Sequence, residues 1–215
     1  MLDTPQSPTV STTSPTEGRL GSVSIDAYLG ELNRLGRNTL AVDRHGACLS
    51  LASAADWTVE RALHVTGAGG RLLFVGNGGS AAIASHMAID FSKNGGMRSL
   101  AFNDGAALTC LSNDLGYEHV FSAQIEMHGQ PGDLLMAISS SGQSPSVLNA
   151  VTAARRLGME IVTFSGFKPG NPLRNLGDLN YFVDSDRYGF VEICHLTLIH
   201  ALLDQVCSRE QRPAC

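Results

Sequence analysis

The chain has 215 residues, 43% of them hydrophobic and 16% charged, with a formal net charge of −5. That length suits one domain with a core of its own, so neither disulfides nor a structural metal is needed for stability. With only 15 Lys+Arg, the acidic balance argues against a nucleic-acid partner. No membrane span is expected, and the start Met1-Leu2-Asp3-Thr4-Pro5 lacks a signal peptide's basic and apolar regions. Five scattered cysteines (Cys48, Cys110, Cys194, Cys207, Cys215) form no C-x-x-C, which fits reduced thiols in a cytoplasm.

Residues 1–18 are almost all Ser, Thr, Pro and small polar residues, a composition expected to stay disordered; residues 19–215 are expected to form the domain. From Ser24 to about Thr66, apolar residues at three- and four-residue steps predict two antiparallel helices, the second closed by Gly67, Gly69 and Gly70. The period then changes. Arg71–Val75 predicts a strand, Ala81–Phe91 a helix and Met97–Phe102 another strand, while 108–112 fits either type. Asp133–Ser139, Met159–Ser165 and Asn180–Asp184 predict further strands, with helices over 144–157 and about 190–208. Near-continuous apolar strands alternating with helices point to an α/β fold with a parallel sheet covered on both faces.

In such sheets ligands bind beyond the carboxyl ends of strands. Two turns there are suited to an anion. Gly76-Asn77-Gly78-Gly79-Ser80 removes the Cβ atoms that block close approach, and it opens onto a helix N-terminus with free N–H groups. It matches neither a dinucleotide fingerprint nor a Walker A loop, so no nucleotide is expected. Ser139-Ser140-Ser141-Gly142-Gln143-Ser144-Pro145 repeats the arrangement, with Ser144 a natural N-cap and Pro145 at the first helical position. Either turn alone fits an ordinary tight connection. Both together, at strand ends of one sheet, suit a phosphate monoester.

Two helices carry titratable groups. His86 and Asp90, at i and i+4, share one face about two turns from the first anion turn. The last helix is apolar nearly all round, so Glu192, His195 and His200 are costly there unless paired. Glu192 and His200 differ by about 80° around the axis and lean toward one site, whereas His195 points elsewhere and is expected to be a hydrogen-bonded core residue.

GNGGSA at 76–81, His86 with Asp90, Asn113-Asp114, SSSGQS at 139–144, and a last helix holding Glu192 and His200 together resemble the SIS (sugar isomerase) domain family. Within it the phosphoheptose isomerases, which act on sedoheptulose 7-phosphate, are most similar. The resemblance implies a single SIS domain: a five-stranded parallel sheet flanked by helices, with N-terminal helices and a long buried C-terminal helix. It implies a homotetramer with sites at subunit interfaces, and a phosphorylated sugar substrate held by Asn77, Gly78, Gly79, Ser80, Asn113, Asp114, Ser139, Ser140, Ser141, Ser144 and Glu192. It further implies acid–base roles for Asp90 and His200, and Zn²⁺ ligation by His86, Asp90, Glu192 and His200.

Three positions depart from the family pattern. Asp90 stands where the family has Glu, Glu192 where well-known members have Gln, and Asn94 where the family has Arg, with Lys93 beside it. A base shortened by about an ångström costs on the order of 10²-fold unless compensated, and a metal on a His, Asp, Glu, His set would compensate. Two other readings stay open: a catalytically silent SIS-fold adaptor, and an isomerase for another seven- or eight-carbon sugar phosphate.

Overall fold

The computed structural model describes residues 24–212; the Ser/Thr/Pro segment 1–18 and Cys215 lie outside them. Helix α1 (Ile25–Arg37) starts at Ser24, whose hydroxyl accepts from the Ala27 N–H. The second predicted helix does not follow directly. A hairpin intervenes, β1 (Leu40–Asp43) and β2 (Cys48–Leu49), turned at Gly46 with φ 82°. Its tip is held by Asp43, whose carboxylate accepts from the His45 and Ala47 N–H groups. Only then does α2 (Leu51–Gly67) form.

The βα units follow. They are β3 (Leu72–Gly76), α3 (Gly79–Lys93), β4 (Ser99–Ala101), α4 (Gly105–Leu115) and α5 (Val120–His128). Then come β5 (Leu134–Ser139), α6 (Pro145–Arg156), β6 (Glu160–Gly166), β7 (Leu179–Val183) and α7 (Tyr188–Arg209). The ambiguous stretch 108–112 is helical, capped by the Asp104 carboxylate on the Ala107 N–H. Helix α5 was not read from the sequence.

The sheet has seven strands in the order β2-β1-β7-β6-β5-β3-β4. Its five strands from β7 to β4 are mutually parallel, as expected. The hairpin adds an antiparallel pair at the β7 edge, so the sheet is mixed rather than purely parallel. Alternate residues feed opposite layers, because successive side chains of a strand point to opposite faces. Leu72, Phe74 and Met136 join α2, α3 and α7, while Leu73, Val75 and Leu135 join α5 and α6.

Helix α3 therefore covers one face and α6 the other, on connections that leave β3 and β5 in opposite directions. Between the carboxyl ends of these paired strands lies a topological switch point, the crevice where such sheets bind ligands.

Helix α7 corrects one expectation. At 22 residues it is long and apolar enough to cross a membrane by length and composition, where no such run was expected. Half of its most apolar window is buried within the fold, against α1, α2 and α3. Its composition is accounted for by that central position.

Candidate active site

The two anion turns meet across the switch point. Asn77 donates both amide hydrogens to the second turn and its helix, to Ser144 Oγ at 2.7 Å and Ser146 Oγ at 2.9 Å. Its Oδ1 accepts from the Tyr117 hydroxyl at 2.7 Å. The Asn77 amide thus has both donors spent inside the protein. Tyr117, Ser146 and Asn171 were not singled out in the sequence: the bonds of Tyr117 and Ser146 to Asn77 span 40 and 69 residues, and Asn171 meets the serine turn only through its packing under Gly142.

Gly78 is the N-cap of α3, with φ 54° and ψ −123°, a conformation that suits only glycine, and no side chain caps the helix. The first N–H groups of α3 are therefore left to other partners. The Glu192 carboxylate lies over this end: a Cβ at Gly79 would stand 2.3 Å from its Oε2. Ser80 is buried, its Cβ packed beneath Gly76.

The serine turn is held from below. Gly142 adopts φ 62°, and a Cβ there would meet Asn171 Oδ1 at 2.0 Å. Asn171 is 1% exposed, its Nδ2 donating to the Gly166 and Lys168 carbonyls. Above it, Ser139 and Ser140 are buried, and Ser140 Oγ has no protein partner. Such a group costs free energy unless a ligand or water meets it. Ser141 Oγ accepts from the Gln143 N–H. Ser144 is the N-cap of α6, yet its side chain makes no cap bond.

Asn113 and Asp114 end α4 and are exposed. They bond each other at 2.8 Å, and Asn113 lines a shallow hollow with Tyr117.

About two turns along α3 from Gly79, roughly 10 Å, the titratable groups converge. His86 Nε2 lies 3.4 Å from Asp90 Oδ2, and the His86 and His200 rings are 5.2 Å apart at 60°. One ligand atom each from His86, Asp90 and His200 can be chosen with all three within 4.8 Å of one another. Donors held at about 2.0–2.2 Å from one Zn²⁺ lie roughly 3–4 Å apart, so this cluster is near ligating spacing. Two imidazoles and a carboxylate with room for a further ligand is a donor set of catalytic zinc sites. Glu192 is not part of this group in the single chain.

His195 sits apart. It is fully buried, edge-on to Phe164, with Nε2 3.1 Å from the Ser165 carbonyl, and burial pushes its pKa down to about 4. An imidazole that stays neutral with one fixed partner belongs to the core.

At the amino ends of β6 and β7, a hollow of about 490 Å³ is lined by residues that include Arg44, Arg61, Arg155 and Trp57. Its arginines are already matched by Asp178 and Glu160.

A family model for the SIS domain matches residues 49–166. A phosphoheptose isomerase of Chlorobium phaeobacteroides is 41% identical over 150 residues, which is 64% of this chain and 65% of that protein. One from Bradyrhizobium is 35% identical over 180 residues, 81% of this chain and 90% of that protein. The structure of a phosphoheptose isomerase from Neisseria gonorrhoeae has a TM-score of 0.73 and 31% identity, over 85% of this chain and 97% of its own. Matched by the family model over more than half its length, the chain belongs to the SIS domain family.

Proposed function

We propose that this protein is an aldose–ketose isomerase acting on a phosphorylated sugar, sedoheptulose 7-phosphate, to give the aldose heptose 7-phosphate. The observation that carries the reading is a phosphate-type serine cradle bonded through Asn77 to the first anion turn, with His86, Asp90 and His200 about two helical turns along α3 from that turn. That separation matches the distance between the phosphate and the reacting carbons of an open-chain sugar. The relatives named phosphoheptose isomerase support the same substrate.

The phosphate sits on Ser139, Ser140, Ser141 and Ser144, held by hydroxyls and the positive end of α6 without any Lys or Arg in the cradle. Asn113 and Asp114, with the Gly78-Gly79 backbone, meet the sugar hydroxyls. Asp90 takes the proton from C1 of the ketose, and the C–H electron pair forms the C1–C2 double bond of an enediol. His200 moves protons between O1 and O2, and a proton returned to C2 completes the aldose. His86, Asp90 and His200 would hold a Zn²⁺. Such an ion would supply polarisation of the carbonyl and stabilise developing negative charge on oxygen.

The enzyme acts as a cytoplasmic homo-oligomer, a tetramer in this reading. Supporting that, α4 buries no residue within its own chain, and Ile89 and Ile193, beside the site on α3 and α7, are exposed. The test is incubation with sedoheptulose 7-phosphate in D₂O, with and without zinc. Aldose carrying deuterium at C2 is expected. No aldose and no exchange under either condition would rule out the heptose substrate.

A further inference from the structure

We infer that Tyr117 is a positioning residue for the phosphate, acting through Asn77 on Ser144. The inference rests on the proposed sugar-phosphate site and deepens it.

A serine at a helix N-cap ordinarily accepts from the N–H groups of the first turn. Ser144 does not, although it precedes Pro145 at the start of α6. Its Oγ is instead drawn across the switch point to Asn77 Nδ2 at 2.7 Å, with Ser146 Oγ taking the second hydrogen of the same amide. An amide can face either way, and what fixes this one is the Tyr117 hydroxyl on Oδ1. With the hydroxyl donating to Oδ1, the nitrogen faces the serines, and the three bonds together hold the amide plane.

Two consequences follow from this chain of bonds. In the first turn of α6, Pro145 has no N–H, the Val147 and Leu148 N–H groups donate to the Ser144 carbonyl, and the Ser146 N–H is left without a side-chain cap. Ser144, already accepting from Asn77, lies 3.3 Å from Ser146 Oγ, where either hydroxyl can donate, so its O–H turns outward when Ser146 is the donor of that pair. Both favour an oxyanion in front of α6. Tyr117 is half exposed, in the short 3₁₀ turn 117–119 that packs against α6, and its hydroxyl bonds Asn77. It sets the orientation of a binding group rather than contributing to chemistry.

The test uses Tyr117→Phe, which removes one hydroxyl from an exposed ring and leaves packing intact. Inorganic phosphate binding is measured by calorimetry, and the isomerase KM and kcat alongside it. Expected is phosphate binding weakened about tenfold, a similar rise in KM, and kcat held within twofold. In the Ser144→Ala background the same substitution should cost nothing further, because its route is already cut. Unchanged phosphate affinity in Tyr117→Phe, or full additivity with Ser144→Ala, overturns the relay while leaving the isomerase reading standing. Wild-type protein that binds no phosphate overturns the anion site itself and this inference with it. A fall in kcat alone would assign Tyr117 to chemistry instead, and so also overturns it.

Discussion

The Glu192 carboxylate of α7 lies against Gly79, the first residue of α3, so closely that a Cβ at 79 would be 2.3 Å from Oε2. A carboxylate is at home there, at the positive end of a helix. The contact also holds α7 in register with the first anion turn. Gly79→Ala must push Glu192 aside, and the obstacle is the end of a flexible side chain rather than backbone. Alanine is also the better helix former by up to about 1 kcal/mol. The expected result is a thermal midpoint equal to or above wild type, with turnover reduced on the order of tenfold or more. Loss of both together would mean the glycine serves folding and not the placement of Glu192.

The cluster of His86, Asp90 and His200 makes a prediction about metal that does not depend on turnover. After dialysis against trace zinc, wild type should retain about one ion per chain. His86→Ala and His200→Ala should each weaken zinc affinity by on the order of 10²-fold, seen as loss of retained metal by elemental analysis. Asp90→Asn should lower kcat by roughly 10²–10⁴-fold, the range for a general base removed from its proton. Retention of zinc by the double histidine variant would place the ion elsewhere.

Much of this architecture was legible because its signals are local. The runs Leu72–Val75 and Leu134–Ile138 are apolar on both faces of the sheet, and each leads into a turn sequence. Parallel topology and the position of the anion turns follow from that alone. The hairpin of β1 and β2 was hidden because Leu40 and Leu49 read as members of the apolar series of the helices on either side. The signal available was Asp43–Gly46, a turn with glycine at positive φ. Helix α5 buries nearly everything from Val120 to Ile125, so it shows no polar face to mark its period. The bond from Tyr117 to Asn77 spans 40 residues, and those from Asn77 to Ser144 and Ser146 span 67 and 69. No spacing rule reaches that far; only the crossing at the β3–β5 switch point creates them.

His195 predicts how stability depends on acid. Its imidazole is wholly buried, with Nε2–H on the Ser165 carbonyl and Nδ1 without a protein partner. Desolvation holds the folded pKa at about 4, against 6.5 when free. Between those values the unfolded chain binds the proton and the folded chain does not, so stability rises with pH across that window. The contribution is complete above pH 6.5, falls as pH drops toward 4, and is constant below it. The total is about 3 kcal/mol at 1.36 kcal/mol per pH unit. Urea denaturation from pH 7.5 to 4 should show this slope, and His195→Gln should lack it even if less stable overall. Glu31 and Asp43, whose carboxyls are held below 4.5 and 3.8 by Arg34 and by the hairpin's N–H groups, act lower. An unchanged slope in His195→Gln would assign the acid sensitivity to another group.

Gly142 separates two costs that usually come together. Its φ of 62° disfavours any side chain by about 1–2 kcal/mol. Its Cβ direction is also filled by Asn171, whose Oδ1 and Cγ would be 2.0 and 2.3 Å away. Asn171 cannot yield easily, because its Nδ2 donates to two backbone carbonyls and its Oδ1 accepts from the Arg174 N–H. Gly132, before β5, provides the comparison: φ is 84°, and nothing lies within 4 Å of its Cβ position. Gly132→Ala should therefore cost only the backbone penalty, and Gly142→Ala about 1–2 kcal/mol more, by denaturant midpoint. Phosphate binding should part the two more sharply, because displacing Asn171 loosens the turn that presents Ser140 and Ser141, whereas Gly132 lies at the far end of β5. Equal stability losses in the two variants would mean that Asn171 moves freely. The serine turn would then owe its shape to its own backbone rather than to the residue beneath it.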